Sequence, residues 1–252
     1  SDSHGAFYTL IRLLNRAPKG LKVVSLGDEI DRGPHSRKIV EFVMSNGIPS
    51  VMSNHIDLCL AYSAHVKRGY KAKRPSYYDW NVWLHNGGWD ALGNWPNFDE
   101  KGRRNGERIP DDVLLWMAAL PPYLYPSEKL DKNGRRLFCS HTGYGLNADR
   151  DHWISALWGR HMGGGQGGDG PFSRDPETGE ERDDGLYRVF GHSRVKDADV
   201  TETYANIDTG AAYGKPYGNL SALLWPSKTV MIQPFDETPC ESTFTIVDGK
   251  LA

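Results

Sequence analysis

The sequence predicts an α/β fold in which a mainly parallel sheet is flanked by helices. Leu21–Leu26 is a short, β-branched apolar run that ends at Gly27, and a helical pattern follows at Ser36–Ser45. Ile48–Met52 is a second apolar run, and a helical pattern follows it at Asp57–Val66. Repeated strand–loop–helix order is typical of parallel sheets, because a helix returns the chain to the start of the next strand.

The remaining chain divides into an insertion and a strand-rich last third. Residues 67–108 are rich in Trp, Tyr, Gly and Asn, and they predict a helical and loop insertion over one end of the sheet. Asp111–Leu120 predicts a helix that Pro121-Pro122 ends. The predicted strands of the last third are Arg136–Ser140, Tyr187–Gly191, Tyr204–Asp208, Leu220–Trp225, Thr229–Gln233 and Thr243–Val247. We interpret residues 1–252 as a single domain.

Composition is that of an ordinary soluble globular protein. The 252 residues include 38% hydrophobic and 25% charged residues, and the net charge is -2. No apolar run is long enough to span a membrane, and no signal peptide is visible. The near-neutral charge argues against a nucleic acid partner. Three cysteines without a CxxC pair favour reduced, buried side chains and a cytoplasmic location.

Five short polar motifs carry the chemistry, most of them directly after a predicted strand. They are Asp2-Ser3-His4-Gly5, the GDEIDRG run from Gly27 to Gly33, Ser53-Asn54-His55, Ser140-His141-Thr142-Gly143 and Gly191-His192-Ser193. Ligands of open α/β sheets bind outside the carboxyl ends of the strands, so these motifs are expected to converge.

Together the motifs bring eight candidate side chains to one place. They are Asp2, His4, Asp28, Asp31, Asn54, His55, His141 and His192. Oxygen donors mixed with imidazoles suit manganese, iron or zinc, and the set has too many histidines for calcium. One such motif alone is usually structural, but their joint occurrence predicts a metal site.

These motifs resemble those of the phosphoprotein phosphatase family within the calcineurin-like metallophosphoesterases, of the bacterial and phage type. That family carries GDxHG, GDxxDRG, GNHE, a later HxG and a later GH, and the likeness spans nearly the whole chain. The resemblance implies a four-layer αββα sandwich of two mixed sheets with helices on both outer faces. It also implies a phosphatase with two divalent metal ions, manganese first, with iron or zinc as alternatives.

The resemblance assigns a role to each candidate residue. The first metal ion would be held by Asp2, His4 and Asp28. The second would share Asp28 and add Asn54, His141 and His192. A hydroxide bridging the two ions would attack phosphorus.

By the same resemblance, His55 would protonate the leaving oxygen and Asp31 would orient it. Arg32, Arg160 and Asn54 would bind the substrate phosphate, because guanidinium groups suit bidentate contacts with it. For Arg160, an exposed salt bridge is an equally good interpretation. The tryptophans at positions 80, 83, 89 and 95 are interpreted as packing residues of the insertion, or else as the lining of a substrate groove.

The sequence departs from the family pattern in three places. It begins within the first motif, with Ser1 where the family has glycine, so Asp2 and His4 are expected to be poorly anchored unless upstream residues are missing. Ser53 replaces the glycine of GNHE, and Ile56 replaces its glutamate, which removes a carboxylate near the ligands. We expect an active but slower enzyme.

The favoured function is a phosphomonoesterase acting on phosphoserine or phosphothreonine in proteins, with possible activity on small phosphoesters. A symmetrical dinucleoside tetraphosphate hydrolase is the first alternative, although such enzymes tend to lack an aspartate at the position of Asp31. A non-catalytic phosphate-binding member and a nuclease are the others. The expected partners are thus phosphorylated substrates, with neither nucleic acid nor membrane, and a monomer is assumed.

Overall fold

The computed structural model describes residues 1–67, 80–98, 104–107, 109–143, 157–158, 184–213 and 217–252. The helices are α1 (Phe7–Asn15), α2 (Ser36–Ser45), α3 (Asn54–Lys67), α4 (Trp80–Trp83), α5 (Trp89–Gly93) and α6 (Asp111–Ala118), with a π-helical turn at Leu84–Gly88. The strands are β1 (Pro96–Phe98), β2 (Arg104–Glu107), β3 (Tyr123–Leu124), β4 (Arg136–Ser140), β5 (Leu186–Phe190), β6 (Asp199–Val200), β7 (Tyr204–Asn206), β8 (Asn219–Leu224), β9 (Thr229–Pro234), β10 (Ile246–Val247) and β11 (Lys250–Leu251). None of the described helices is long and apolar enough to cross a membrane.

The three predicted helices are present, and three of their ends differ from the prediction, the smallest difference being the end of α3 at Lys67 instead of Val66. Helix α2 has the predicted bounds, and α6 ends two residues earlier than predicted. Helix α3 begins at Asn54, three residues before the predicted start. The Ser53 hydroxyl accepts a hydrogen bond from the backbone N–H of Ile56 at 3.5 Å, which caps the first turn. As a result, Asn54 and His55 belong to a helix rather than to a loop.

A five-stranded mixed sheet positions two of the five motifs. Its order is β3-β4-β5-β7-β6, with β4, β5 and β7 parallel and the two edge strands antiparallel. Because β4 and β5 run side by side in the same direction, the residues that follow them emerge at one edge. His141 directly follows β4, and His192 follows β5 after Gly191.

The prediction that Leu21–Leu26 and Ile48–Met52 form strands was wrong in detail. Both are extended, but among the described residues they are joined only by the parallel bridge between Ser25 and Ser50. The Ser25 N–H donates to the Pro49 carbonyl at 2.9 Å. Pro49 has no N–H and cannot donate a hydrogen bond to the neighbouring segment, so the ladder of backbone hydrogen bonds is interrupted there.

Buried side chains show two β layers facing each other. Leu137, Tyr187 and Val189 of the five-stranded sheet form one apolar cluster with Leu26, and Leu223 of β8 packs against it. Strands β8 and β9 form an antiparallel pair. A separate apolar cluster joins this pair to α1. The described residues therefore form the α/β sandwich that the sequence predicted.

The insertion contains more than the predicted helices and loops. Helices α4 and α5 flank the π-helical turn, and β1 and β2 then form an antiparallel pair that the sequence did not predict. Trp83 and Trp95 are buried in an apolar cluster that includes Ile56, whereas Trp89 is 56% exposed. The interpretation of these tryptophans as packing residues is thus right for two of them.

Candidate active site

The structure brings all five motifs to one place. Asp2, His4, Asp28, His141 and His192 are all buried, and each is at most 8% exposed. Asn54 and His55 reach them from the first turn of α3. Five site residues have a positive φ, which is costly for residues other than glycine and is concentrated at functional sites. They are His4, Asp28, Asp31, Arg32 and His192.

Three of the ligand atoms expected at the second metal site lie within hydrogen-bonding distance of one another. Asn54 Oδ1 is 2.8 Å from His141 Nε2 and 3.1 Å from His192 Nδ1. The two imidazole nitrogens are 3.2 Å apart. Asp28 Oδ2 lies 3.6 Å from His141 Nε2. An oxygen and two imidazole nitrogens that face one point are the arrangement that a transition-metal ion requires.

The backbone fixes which nitrogen of two histidines faces the site. His141 Nδ1 lies 2.9 Å from the Leu26 carbonyl, and His4 Nδ1 lies 2.8 Å from the Ile30 carbonyl. A carbonyl only accepts, so each Nδ1 carries the proton and each Nε2 presents a lone pair. Burial lowers the pKa of both histidines, which keeps the rings neutral as metal ligands must be.

The expected first metal site is held together differently. His4 Nε2 lies 3.5 Å from Asp28 Oδ2. Asp2 Oδ2 accepts a hydrogen bond from the His192 N–H at 3.0 Å, while its Oδ1 is buried without a hydrogen-bond partner among the described residues. Asp2 and His4 were expected to be poorly anchored, but hydrogen bonds to Asp28, Ile30 and His192 hold them.

The charges of the site also fit divalent cations. Burial and the neighbouring carboxylates Asp208 and Asp28 raise the pKa of Asp2 well above its usual range. Burial raises the pKa of Asp208 to about 6. Burial opposes ionisation of Asp28 as well, yet the surrounding histidines hold its pKa below the usual range. Three buried carboxylates near one another are stabilised by positive charge, and metal ions supply it.

Asp28 can belong to two metal-binding groups. Ligand atoms of His4, Asp28 and His55 lie within 4.8 Å of one another, and so do those of Asp2, Asp28 and His141. The shared carboxylate agrees with the expected bridging role of Asp28. These residues could therefore hold a divalent metal ion, and the division into one ion at Asp2, His4 and Asp28 and another at Asp28, Asn54, His141 and His192 stays a prediction.

His55 and Asp31 form a buried pair next to the metal ligands. His55 Nδ1 lies 2.5 Å from Asp31 Oδ2. Burial, opposed by the contact with His55, raises the pKa of Asp31. His55 Nε2 lies 3.9 Å from Asp28 Oδ2, so the Nε2 edge of the ring faces the predicted metal ligands. This geometry brings together the two residues that were predicted to act as acid and orienting group.

Arg32 contacts two histidines of the site. One guanidinium nitrogen, Nη1, is in close contact with His4 Nε2, and Nη2 lies 2.7 Å from His55 Nε2. Because a guanidinium only donates, both imidazole nitrogens accept. The predicted phosphate-binding arginine is thus in the site, whereas Arg160 lies outside the described residues.

A cavity of about 80 Å³ opens on this centre. Its described lining adds the apolar Leu58 and five polar or aromatic residues, Asn86, Trp158, Arg194, Asp208 and Tyr213, to the predicted site residues. The sequence analysis did not assign any of these five to the site. Arg194 and Tyr213 carry no motif signal, whereas Asn86, Trp158 and Asp208 lie in the runs 83–88, 157–160 and 207–210, which resemble bacterial and phage members of the family. The position of Asp208 after β7, which is parallel to β5, could also have indicated it.

Two departures from the family motif have structural roles. Ser53 does not require a positive φ, and its hydroxyl accepts a hydrogen bond from the Asp28 N–H at 3.0 Å. Ile56 is fully buried in the apolar cluster of the insertion. Ser53 therefore supports the segment that carries Asp28, and Ile56 packs the core behind the site.

Comparison with known proteins identifies the same family along most of the chain. The sequence profile described as "Calcineurin-like phosphoesterase" matches residues 1–195. The asymmetrical bis(5'-nucleosyl)-tetraphosphatase PrpE of Anoxybacillus flavithermus is 26% identical, and the alignment covers 92% of this chain and 91% of the relative. Serine/threonine-protein phosphatase 2 of Salmonella typhimurium is 28% identical over 87% of this chain and 88% of the relative.

Solved structures share the fold at low sequence identity. A metallophosphoesterase from Sphaerobacter thermophilus aligns with a TM-score of 0.50 and 16% identity, covering 93% of this chain and 85% of that one. A second structure, provisionally assigned as a diadenosine tetraphosphatase, aligns with a TM-score of 0.57 and 17% identity over 94% of this chain and 92% of that one. Both likenesses support the metallophosphoesterase sandwich.

Proposed function

Because this chain belongs to the calcineurin-like phosphoesterase family, we propose that it is a metal-dependent phosphomonoesterase. Its proposed substrates are phosphoserine and phosphothreonine in proteins, together with small phosphoesters. We also propose that the protein is a cytoplasmic monomer and that it binds neither membranes nor nucleic acid.

Two divalent ions, manganese in the first place and iron or zinc as alternatives, would supply Lewis acidity and a water of lowered pKa. The chain's own residues supply the rest. Arg32 carries guanidinium donors into the site, where they can contact the phosphate oxygens as negative charge develops. Asn54 Oδ1 and the imidazoles of His141 and His192 would hold one of these ions.

The pairing of His55 with Asp31 is the observation that carries this proposal. An alkoxide is a poor leaving group, and it departs more easily when an acid protonates it. Asp31 accepts from His55 Nδ1 at 2.5 Å and orients the ring; in the proposed step Nε2 carries a proton in place of its contact with Arg32 and donates that proton to the leaving oxygen. Phosphomonoesters of serine and threonine have leaving groups of this kind.

The test is hydrolysis of a phosphoserine peptide with and without added manganese, by the wild type and by His55→Ala. We expect metal-dependent turnover that falls about 10²- to 10⁴-fold in the variant, the range of general acid catalysis. His35→Ala, which changes a half-buried histidine outside the cavity lining, is the matched control. Absence of turnover with any divalent ion, from folded protein, would support a non-catalytic phosphate-binding role instead.

Hydrolysis of dinucleoside tetraphosphates is the second candidate function, and the mouth of the cavity favours it. The guanidinium carbons of Arg32 and Arg194 lie 4.9 and 3.9 Å from the centroid of the Tyr213 ring, and Arg194 also lies 5.4 Å from that of Tyr217. Among the described residues no carboxylate forms an ion pair with Arg194. Two cations beside aromatic rings suit a chain of phosphates that ends in a base.

Substrate competition separates the two candidates. Phosphoserine peptide and diadenosine tetraphosphate are compared by kcat/KM in the wild type, Arg194→Ala and the exposed control Lys196→Ala. If the dinucleotide is the substrate, it is the faster one, and only Arg194→Ala lowers its kcat/KM. Two ADP as products indicate symmetrical cleavage, whereas ATP and AMP indicate asymmetrical cleavage.

A further inference from the structure

We propose that Trp83, with the glycine pair of the following π-helical turn, positions the His55–Asp31 pair for proton transfer to the leaving group. This inference rests on the proposed phosphatase function, because it assigns a task within the same reaction. It gives part of the insertion a role in catalysis that is separate from packing.

The inference starts from a hydrogen bond that joins the insertion to the catalytic pair. Trp83 Nε1 donates to Asp31 Oδ2 at 2.9 Å. His55 Nδ1 contacts the same oxygen at 2.5 Å. Asp31 Oδ1 is buried and has no hydrogen-bond partner among the described residues. The two donors on Oδ2 therefore set the rotation of the Asp31 carboxylate, and that carboxylate sets the direction of the His55 ring.

Trp83 has little freedom to move away from this contact. Its side chain is 0% exposed. Its ring lies 4.9 Å, centroid to centroid, from the ring of Tyr62 on α3, the helix whose first turn carries His55. An indole N–H can only donate, and burying it without an acceptor is unfavourable. The indole is thus fixed relative to both members of the pair.

The two glycines after Trp83 allow the insertion to close on the catalytic loop. Gly87 has a φ of +111°, and a Cβ there would lie 2.6 Å from the Arg32 nitrogen and 2.9 Å from Asp31 Cβ. A Cβ at Gly88 would lie 2.7 Å from the Trp83 ring. Any other residue would push the π-helical turn away from Asp31 and Arg32. Both glycines are therefore required for Trp83 to lie within hydrogen-bonding distance of Asp31.

Packing alone and positioning of the acid predict different kinetics. If Trp83 only packs, its replacement affects all substrates alike through stability. If it positions the acid, its replacement affects alkyl phosphates, whose leaving groups need a proton, more than p-nitrophenyl phosphate, whose leaving group needs little protonation. The ratio of the two kcat values therefore reports on proton transfer.

The experiment compares Trp83→Phe with the wild type, both saturated with manganese, on phosphoserine and on p-nitrophenyl phosphate. Phenylalanine keeps an aromatic ring in the core but removes the N–H. We expect kcat to fall about 10- to 100-fold for phosphoserine, as for other residues that orient a catalytic group, and much less for p-nitrophenyl phosphate. His55→Ala should show the same preference more strongly.

Trp95→Phe is the matched control, because Trp95 is buried in the same apolar cluster and is 3% exposed. If Trp83→Phe does not fold, benzothienylalanine at position 83 keeps the shape of tryptophan without its N–H and gives the same comparison. Equal losses on both substrates, or a ratio that matches Trp95→Phe, would overturn the inference. Inactivity of the wild type on both substrates would instead contradict the proposed function.

Discussion

The two predicted sets of metal ligands differ in how completely they are assembled. On one side, Asn54, His141 and His192 present an oxygen and two nitrogens at separations of 2.8, 3.1 and 3.2 Å. On the other side, the Nε2 of His4 is in contact with the guanidinium of Arg32. The first side can receive an ion without rearrangement, whereas the second requires Arg32 to leave His4.

This difference links metal binding to substrate binding. A divalent ion at His4 would compete with the guanidinium of Arg32, which also lines the neighbouring cavity and would then be available to a phosphate there. We therefore expect two steps of metal binding, a tighter one at Asn54, His141 and His192 and a weaker one at Asp2 and His4. Four changes test this comparison.

Removal of the Asn54 side chain should have the largest effect of the four changes. Asn54→Ala deletes the oxygen that both imidazoles face, so we expect the tighter step of manganese binding to be lost. We also expect kcat/KM to fall about a thousandfold or more, because several kcal/mol of charge stabilisation are lost. Isothermal titration calorimetry and steady-state kinetics measure the two quantities. His4→Ala should remove only the weaker step, and Asn46→Ala neither. If both site variants weaken the same step, the two sides are not distinct.

Arg32→Ala should separate metal binding from catalysis. The variant loses the guanidinium donors, so we expect kcat to fall about 10²- to 10³-fold, as for loss of a transition-state donor. The weaker manganese step should become tighter, because no cation competes for His4. Calorimetry on the variant and on the exposed control Arg37→Ala tests this. Unchanged manganese affinity in Arg32→Ala would contradict the competition.

The raised pKa of Asp208 makes the stability of metal-free protein depend on pH. Because its folded value of about 6 exceeds the unfolded value of 3.8, the carboxyl stabilises the fold fully below pH 3.8 and loses this contribution as pH rises through 6. Asp208→Asn removes the dependence and keeps the oxygen that accepts from the Gly210 N–H.

Relative to wild type, the free energy of unfolding of Asp208→Asn should rise between pH 4 and pH 7 by up to about 3 kcal/mol, from the linkage of one group. Urea unfolding of both metal-free proteins at each pH measures it. Saturating manganese should reduce the difference, since the ions offset the buried negative charge. A difference between the two proteins that does not change with pH would show that Asp208 is ionised throughout.

Ser53→Ala should have the smallest of the four effects. It removes the hydroxyl that accepts from the Asp28 and Ile56 N–H groups. We expect a loss of about 1 kcal/mol in stability, the usual value for a helix cap, and less than a tenfold loss of kcat. Thermal unfolding compared with Ser45→Ala, an exposed serine of α2, provides the check. A loss no greater than that of Ser45→Ala would show that the hydroxyl does not support the Asp28 segment.

Local patterns predicted the elements whose signals lie within a few residues. Helix α2 has the predicted bounds because its apolar residues repeat with helical spacing before Asn46-Gly47. Strand β4 also has the predicted bounds. Helix α1 was not predicted, although its buried face, Ile11 and Leu14 included, carries the same spacing. The Leu21–Leu26 run was predicted as a full strand although its neighbour, Ile48–Met52, contains Pro49, which has no N–H for a ladder of backbone hydrogen bonds.

The sequence by itself determined which chemistry the site can hold. The Asp, Asn and His residues of five short motifs indicated a metal site, the family and the candidate acid His55. The family profile then matched residues 1–195. The family prediction was confirmed because strand-end positions and ligand types are readable from neighbouring residues.

Only the tertiary structure decided how those residues meet. Trp83 and Asp31 are 52 positions apart, and Asn54 and His141 are 87 apart. The contact of Arg32 with His4 depends on two backbone turns of positive φ. Such contacts depend on packing between distant segments, and hydrophobic periodicity carries no information about which buried polar groups will face each other.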